Sequence, residues 1–210
     1  QVIDGSVRVQ DAWVELRGVG VEGADLRIGV QTIRWGVGAG LHVVDNVNPW
    51  NLENPVALDA RLPVPAAQLL LHKGQVAFQV VAVPLSFPAA LPADGVELVP
   101  TDTDLLDSDA FEGTEVGVLE ARVEPPERTL TNGAAGARLS WAAPFGDLAA
   151  SFYHGVDSLP QAAGEMILTG FQTDQNRVDI AVPLVYPRID IVGLEARGEL
   201  FADIGGWVEV

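Results

Sequence analysis

The chain has 210 residues, a formal net charge of −17, no cysteine and a single methionine. That excludes disulfides and thiolate metal sites, and argues against nucleic acid as a partner, because phosphate contacts need clustered lysine and arginine. Although 48% of the residues are hydrophobic, no run approaches the roughly 20 consecutive apolar residues of a membrane helix, so only strands could cross a membrane.

One domain is the default at this length. The 22 glycines and 14 prolines interrupt any helical pattern, and apolar residues recur at spacing two, which predicts an all-β chain. In residues 7–17, Val7 and Val9 share a face, then Ala12, Val14 and Leu16 share one. The change of phase at Gln10-Asp11 suggests a β-bulge and leaves Arg8, Asp11, Trp13, Glu15 and Arg17 on the wet side. After a glycine-containing turn, Leu26, Ile28 and Val30 alternate with Arg27, Gly29 and Gln31. Residues 68–72 and 75–83 read as a hairpin across Lys73-Gly74. Leu139 and Trp141 oppose Arg138 and Ser140, and Leu148 and Phe152 oppose Asp147, Ser151 and Tyr153. Residues 178–185 alternate again. In residues 188–200 a phase flip at Val192-Gly193 marks a second bulge candidate, with Arg188, Asp190, Glu195, Arg197 and Glu199 on the wet face. Residues 207–210 form the last strand segment.

Connections fall into two kinds. Those at 18–25, 73–74, 143–146 and 202–206 are short, whereas those at 36–64, 86–134 and 155–187 are long, the third holding the 178–185 strand within it. Short and long alternate in chain order, as in transmembrane barrels with brief turns on one side and long external loops on the other. Long structureless loops would be unusual in a compact soluble domain. In the first long loop Asp45, Asn48 and Pro49 are expected to fix a turn folded against the lumen, since Asx side chains bond nearby backbone and proline fixes its own φ.

Residues 26–55 read LRIGVQTIRWGVGAGLHVVDNVNPWNLENP. This stretch resembles the R-x-G-x-Q-x-x-x-W-G and D-x-x-N-P signature of porin-like outer-membrane barrels related to the alginate-export proteins of Gram-negative bacteria. Val83-Pro84 with Phe87-Pro88 and Leu91-Pro92, then Gly136-Ala137-Arg138-Leu139, Tyr153-His154-Gly155 and Tyr186-Pro187-Arg188, are similar to later blocks of that family in the same order. Residues 96–126 match none of its blocks, and Val30 stands where the family often has arginine. The resemblance implies an antiparallel up-and-down transmembrane β-barrel, or a segment of one, in a bacterial outer membrane, passing small polar, acidic or saccharide solutes. Val210 falls in mid-strand and the strands are few for a wide barrel, so a segment of a larger barrel is expected.

Other constellations are bland. Asp102, Asp104, Asp107 and Asp109 could in principle supply oxygen ligands to Ca²⁺, but their spacing is not that of an EF-hand, and a solvated acidic loop is the better reading. His42, His72 and His154 are far apart in sequence, and no nucleophile elbow, zincin motif or phosphate loop is present, so neither enzyme activity nor a cofactor is expected. The glycine-rich 36–40 segment reads as loop flexibility. Trp35, Trp141, Tyr186 and Trp207 lie near strand ends, as an interfacial aromatic girdle would need.

The expected lumen-lining set is therefore Arg8, Asp11, Glu15, Arg17, Arg27, Gln31, Arg138, Asp147, Tyr153, Arg188, Asp190, Glu195 and Arg197. Lipid and small solutes are the expected partners. The main alternative is a soluble, secreted acidic β-sandwich that binds a ligand or partner through its loops, and a third is a carbohydrate-active enzyme using loop carboxylates.

Overall fold

The computed structural model describes residues 9–38, 43–53, 59–91, 115–163, 167–172, 177–201 and 204–210. Twelve strands are seen: β1 (Ala12–Leu16), β2 (Ala24–Gln31), β3 (Val64–Lys73), β4 (Val76–Val83), β5 (Glu115–Val123), β6 (Ala134–Ala143), β7 (Gly146–Val156), β8 (Gln161–Ala162), β9 (Ile167–Gln172), β10 (Arg177–Val185), β11 (Arg188–Phe201) and β12 (Ile204–Glu209). The only helical element among the described residues is a 3₁₀ turn at Leu130–Asn132. The chain is all-β, as the period-two pattern predicts.

Eight strands form one antiparallel sheet in the order β1-β2-β3-β4-β6-β7-β11-β12. The links β1–β2, β3–β4, β6–β7 and β11–β12 are short, so all four lie at one end of the sheet, and the three long excursions leave from the other. The tightest turns are two residues long, and Gly74 takes one of those positions at φ +60°, where a Cβ would be strained. The second and third excursions are not structureless. They contribute β5, β8, β9 and β10, which form a separate small sheet with β5 parallel to β10. Residues 178–185 thus belong to an excursion, in agreement with the sequence. No closed barrel is formed among the described residues, where β1 and β12 each have a single neighbour.

Cross-strand partners share a face, so the register sorts every side chain of the large sheet. One row runs Leu16, Leu26, Leu69, Val80, Ala137, Phe152, Val192 across seven strands. The next row on the same face includes Leu71, Phe78, Leu139, Ala150 and Leu194. This face is apolar and stays open to solvent: Val14 is 67% exposed, Ile28 52% and Val192 72%. The small second sheet does not cover it. The opposite face carries Glu15, Arg27, Gln68, Gln79, Arg138, Ser151, Glu195 and Arg197.

The bulge expected at Val192-Gly193 is absent. β11 pairs with β7 without interruption from Arg188↔Val156 to Arg197↔Asp147. Strict alternation therefore turns Ile189 and Ile191 to the polar-face side, where they pack against the core, and moves Arg188 and Asp190 to the apolar face. Val7 and Arg8, on which the first bulge rested, lie outside the described residues. Of the four aromatics read as an interfacial girdle, Trp141 lies on the apolar face near the short turns, edge-on to Phe145 at 5.9 Å. Trp35 is buried, Trp207 shares the polar face with its partner Arg197, and Tyr186 lies between the two sheets' strands β10 and β11.

Candidate functional site: a loop inserted on the polar face

The first excursion, residues 32–63, lays described residues back over the polar face. Its described residues Ile33, Trp35, Val44 and Val47 form one hydrophobic cluster with Val64, Ala66, Val81, Val83 and Tyr153 of the wall. A polar face carrying its own loop has a dry patch, and this cluster is the core of the molecule.

Asn48 holds the near side. Its Oδ1 accepts the Ile33 N–H (2.8 Å), and its Nδ2 donates to the carbonyls of Leu62 (2.8 Å) and Gln31 (3.1 Å). Three hydrogen bonds from one buried amide satisfy backbone groups that have left the β-ladder and have no water. Asp45, fully buried, accepts the Trp35 N–H at 3.2 Å and faces Arg61 Nε at 3.5 Å. The Arg61 guanidinium lies over the Trp50 ring, 3.2 Å from its centre. Burial pulls the Arg61 pKa down to about 10, which still leaves it charged at neutral pH beside Asp45.

In the middle of the face, Trp35 Nε1 donates to Gln79 Oε1 (2.8 Å), and its ring sits on Gly136, where a Cβ would come within 2.6 Å of a ring carbon. Farther across, Val44 packs on Gly193 so closely that a Cβ there would overlap its Cγ1. At the far edge Glu209 accepts the N–H groups of Gly38 (3.1 Å), Val37 (3.3 Å) and Val44 (3.0 Å). The glycine-rich segment thus grips a carboxylate of its own wall, at least through Val37 and Gly38.

Asn48 bonds to β2 and Val44 to β12, so the described part of the loop reaches across strands six positions apart. A turn closed by Asn46 N–H to the Val44 carbonyl lies between those two contacts.

Three ion pairs, two of them sharing Glu15, mark the rest of this face. Glu15 bonds Arg27 (2.7 Å) and Arg17 (2.6 Å), and Arg27 stacks on Trp13 at 4.0 Å. Arg138 and Glu195 make a bidentate pair, 2.8 and 2.7 Å, across the small Ala149 and Ser151 of β7. Glu15, Arg17, Arg27, Arg138, Asp147, Glu195 and Arg197 thus lie on or continue the expected face, and Asp11 caps the Thr32 N–H at 3.3 Å just before β1. Gln31 and Tyr153 are on that face too, but buried beneath the loop, so neither borders open space as expected. Arg188 and Asp190 do not belong to it. They meet His154 at the long-loop end of the apolar face, where His154 Nδ1 is 2.7 Å from Asp190 and Arg188 Nη2 is 3.0 Å from His154 Nε2. Arg188 can only donate, so it is the donor in its contact with Nε2.

Gln79, which the alternation does place on the wet face, and Arg61 and Glu209 hold the loop in contacts that the sequence did not flag. No local pattern marks them, since each is defined by what crosses the face above it. Arg8 and the acidic run Asp102, Asp104, Asp107 and Asp109 lie outside the described residues. No group of three or more His, Asp or Glu side chains able to hold a metal occurs among the described residues, and no helix among them is long and apolar enough to cross a membrane. Comparison with protein-family models, with curated proteins and with solved structures finds no match.

The close approach at Gly193 gives a direct test of the insertion. Gly193→Val should lift the loop and cost about 1–3 kcal/mol through overpacking. Faster hydrogen exchange at Val37, Gly38 and Val44 is the expected readout; unchanged protection would mean the loop does not depend on this seat.

Proposed function

We propose that this chain forms wall and constriction of an outer-membrane channel, with the apolar face against lipid and the polar face lining a solute path. One observation carries the reading. An apolar face, exposed across the whole width of the sheet and polar only at its long-loop end, backs onto a polar face that already holds its own inserted loop. Soluble monomers rarely expose contiguous apolar patches beyond a few hundred Å², and a β-sandwich would bury such a face against a second sheet. Here the second sheet leaves it bare, which counts against the soluble alternative. The placing of all short turns at one end supports the same reading.

Substituting Ile28→Arg tests it. In a lipid-facing position near mid-strand the change should cost about 2–4 kcal/mol for folding into bilayers. A neutral result there, or a protein that stays soluble and monodisperse without detergent, would remove the membrane assignment.

Solutes would pass between the loop and the remaining wall, sorted by size and by fixed charge. Because acidic and basic groups interleave on the polar face and partly cancel, a modest cation preference at low salt is expected. It should fade as salt rises and the Debye length shrinks to about 8 Å at physiological ionic strength. Reversal potentials across a planar bilayer measure it, and strong salt-insensitive selectivity of either sign would contradict this arrangement of charges.

A further inference from the structure

We propose that Arg138 is a recognition site for the single carboxylate of a small hydroxylated solute at the constriction. This rests on the reading of the polar face as a solute path. The ion pair beneath the loop is asymmetric. The Glu195 side chain is 0% exposed, while that of Arg138 is 21% exposed and borders a cleft of about 350 Å³ that Val37 of the loop also lines. The negative half of the pair is thus sealed into the wall, and the positive half faces the open space.

The hydrogen bonds sharpen this. Glu195 takes Arg138 Nε–H and one Nη2–H. A guanidinium has five N–H groups, so three remain, two on Nη1 and one on Nη2, and no described residue claims them. Those three include the end-on fork that fits a second carboxylate. A bidentate clamp from a buried carboxylate fixes the plane of that fork in advance, which lowers the entropic cost of binding. Burying Glu195 carries a desolvation penalty that stability alone seldom justifies; holding Arg138 rigid at the cleft gives it a use.

The remaining lining selects the solute. Ser140 and His72 offer further hydrogen bonds, and Asp147 on the same cleft would repel a second carboxylate. The volume lies within the range of small-molecule sites. The chemistry therefore favours a monocarboxylate bearing hydroxyl groups.

Gluconate is the probe, with glucose as the uncharged control, titrated calorimetrically into the full chain folded in detergent. The expected result is saturable millimolar binding of gluconate and none of glucose. Removing both charges with Arg138→Gln/Glu195→Gln, so that neither is orphaned, should weaken binding at least about tenfold. Arg138→Lys keeps the charge but loses the fork, so it should weaken binding severalfold even if the double variant fails to fold. Arg128→Gln should leave it unchanged. Equal binding of glucose, no saturation, or wild-type affinity in Arg138→Lys would overturn the site. Because this titration needs no current, a protein that binds gluconate yet conducts nothing would sink the channel reading and leave the site standing.

Discussion

Asp45→Ala is expected to destabilise the protein by about 3–5 kcal/mol, the usual cost of leaving one partner of a buried ion pair alone. Asp45 is 0% exposed, and its carboxylate lies 3.5 Å from Arg61 Nε. Arg61 remains charged near neutral pH, since burial lowers its pKa only to about 10. Removing Asp45 therefore leaves a cation in the core with a carbonyl at 3.5 Å and the Trp50 face as its compensation, and frees the Trp35 N–H as well. Chemical denaturation in detergent or bilayers measures the loss. Replacing both charges, as Asp45→Ala/Arg61→Met, should recover most of it, because an apolar pair of similar volume avoids the desolvation cost altogether. A double variant no better than Asp45→Ala would show that Asp45 acts through the Trp35 amide and not through the ion pair.

Asn48→Leu should rank with it, at about 3–5 kcal/mol. The substitution is close in volume but orphans one N–H and two carbonyls in a buried site, each worth about 1–3 kcal/mol, with incomplete additivity. Asn48→Asp separates donor from acceptor. The carboxylate still accepts the Ile33 N–H, but nothing donates to the Gln31 and Leu62 carbonyls, and a charge enters the core. It should therefore be no milder than leucine. The loop, rather than the sheet, should give way first, because the ladder hydrogen bonds of β2 and β3 do not involve Asn48. Proteolysis within 32–63 at intact strand content is the expected signature. Simultaneous loss of both would show that the loop is needed to hold the sheet together.

The two substitutions probe a feature that sequence reading partly anticipated. Asp45, Asn48 and Pro49 stood out because Asx side chains and proline constrain their own neighbourhood, but Asp45 and Asn48 instead bond the distant backbone of Trp35, Ile33, Gln31 and Leu62. The same local logic recovered the all-β class, the hairpin across Lys73-Gly74, the opposition of Leu139 and Trp141 to Arg138, and the placing of 178–185 inside an excursion. It failed at β11. The change from Ile189 and Ile191 to Glu195 and Arg197 along one side looked like a bulge, because a polar face was assumed to be polar throughout. Its long-loop end is in fact dry under the inserted loop, so isoleucines belong there and the alternation never breaks.

The sequence by itself determined what depends on near neighbours: strands from period-two alternation, turns from glycine and proline, and one apolar side for each strand. Only the tertiary structure decided which distant groups meet. Glu209 receiving the amides of Val37, Gly38 and Val44, Arg61 pairing with Asp45 over Trp50, and Glu195 vanishing beneath Arg138 all join residues whose separation along the chain carries no periodic signal. They are set by the path of one loop across six strand positions. Such features arise from the summed register of many strand pairs and are not encoded in any single segment.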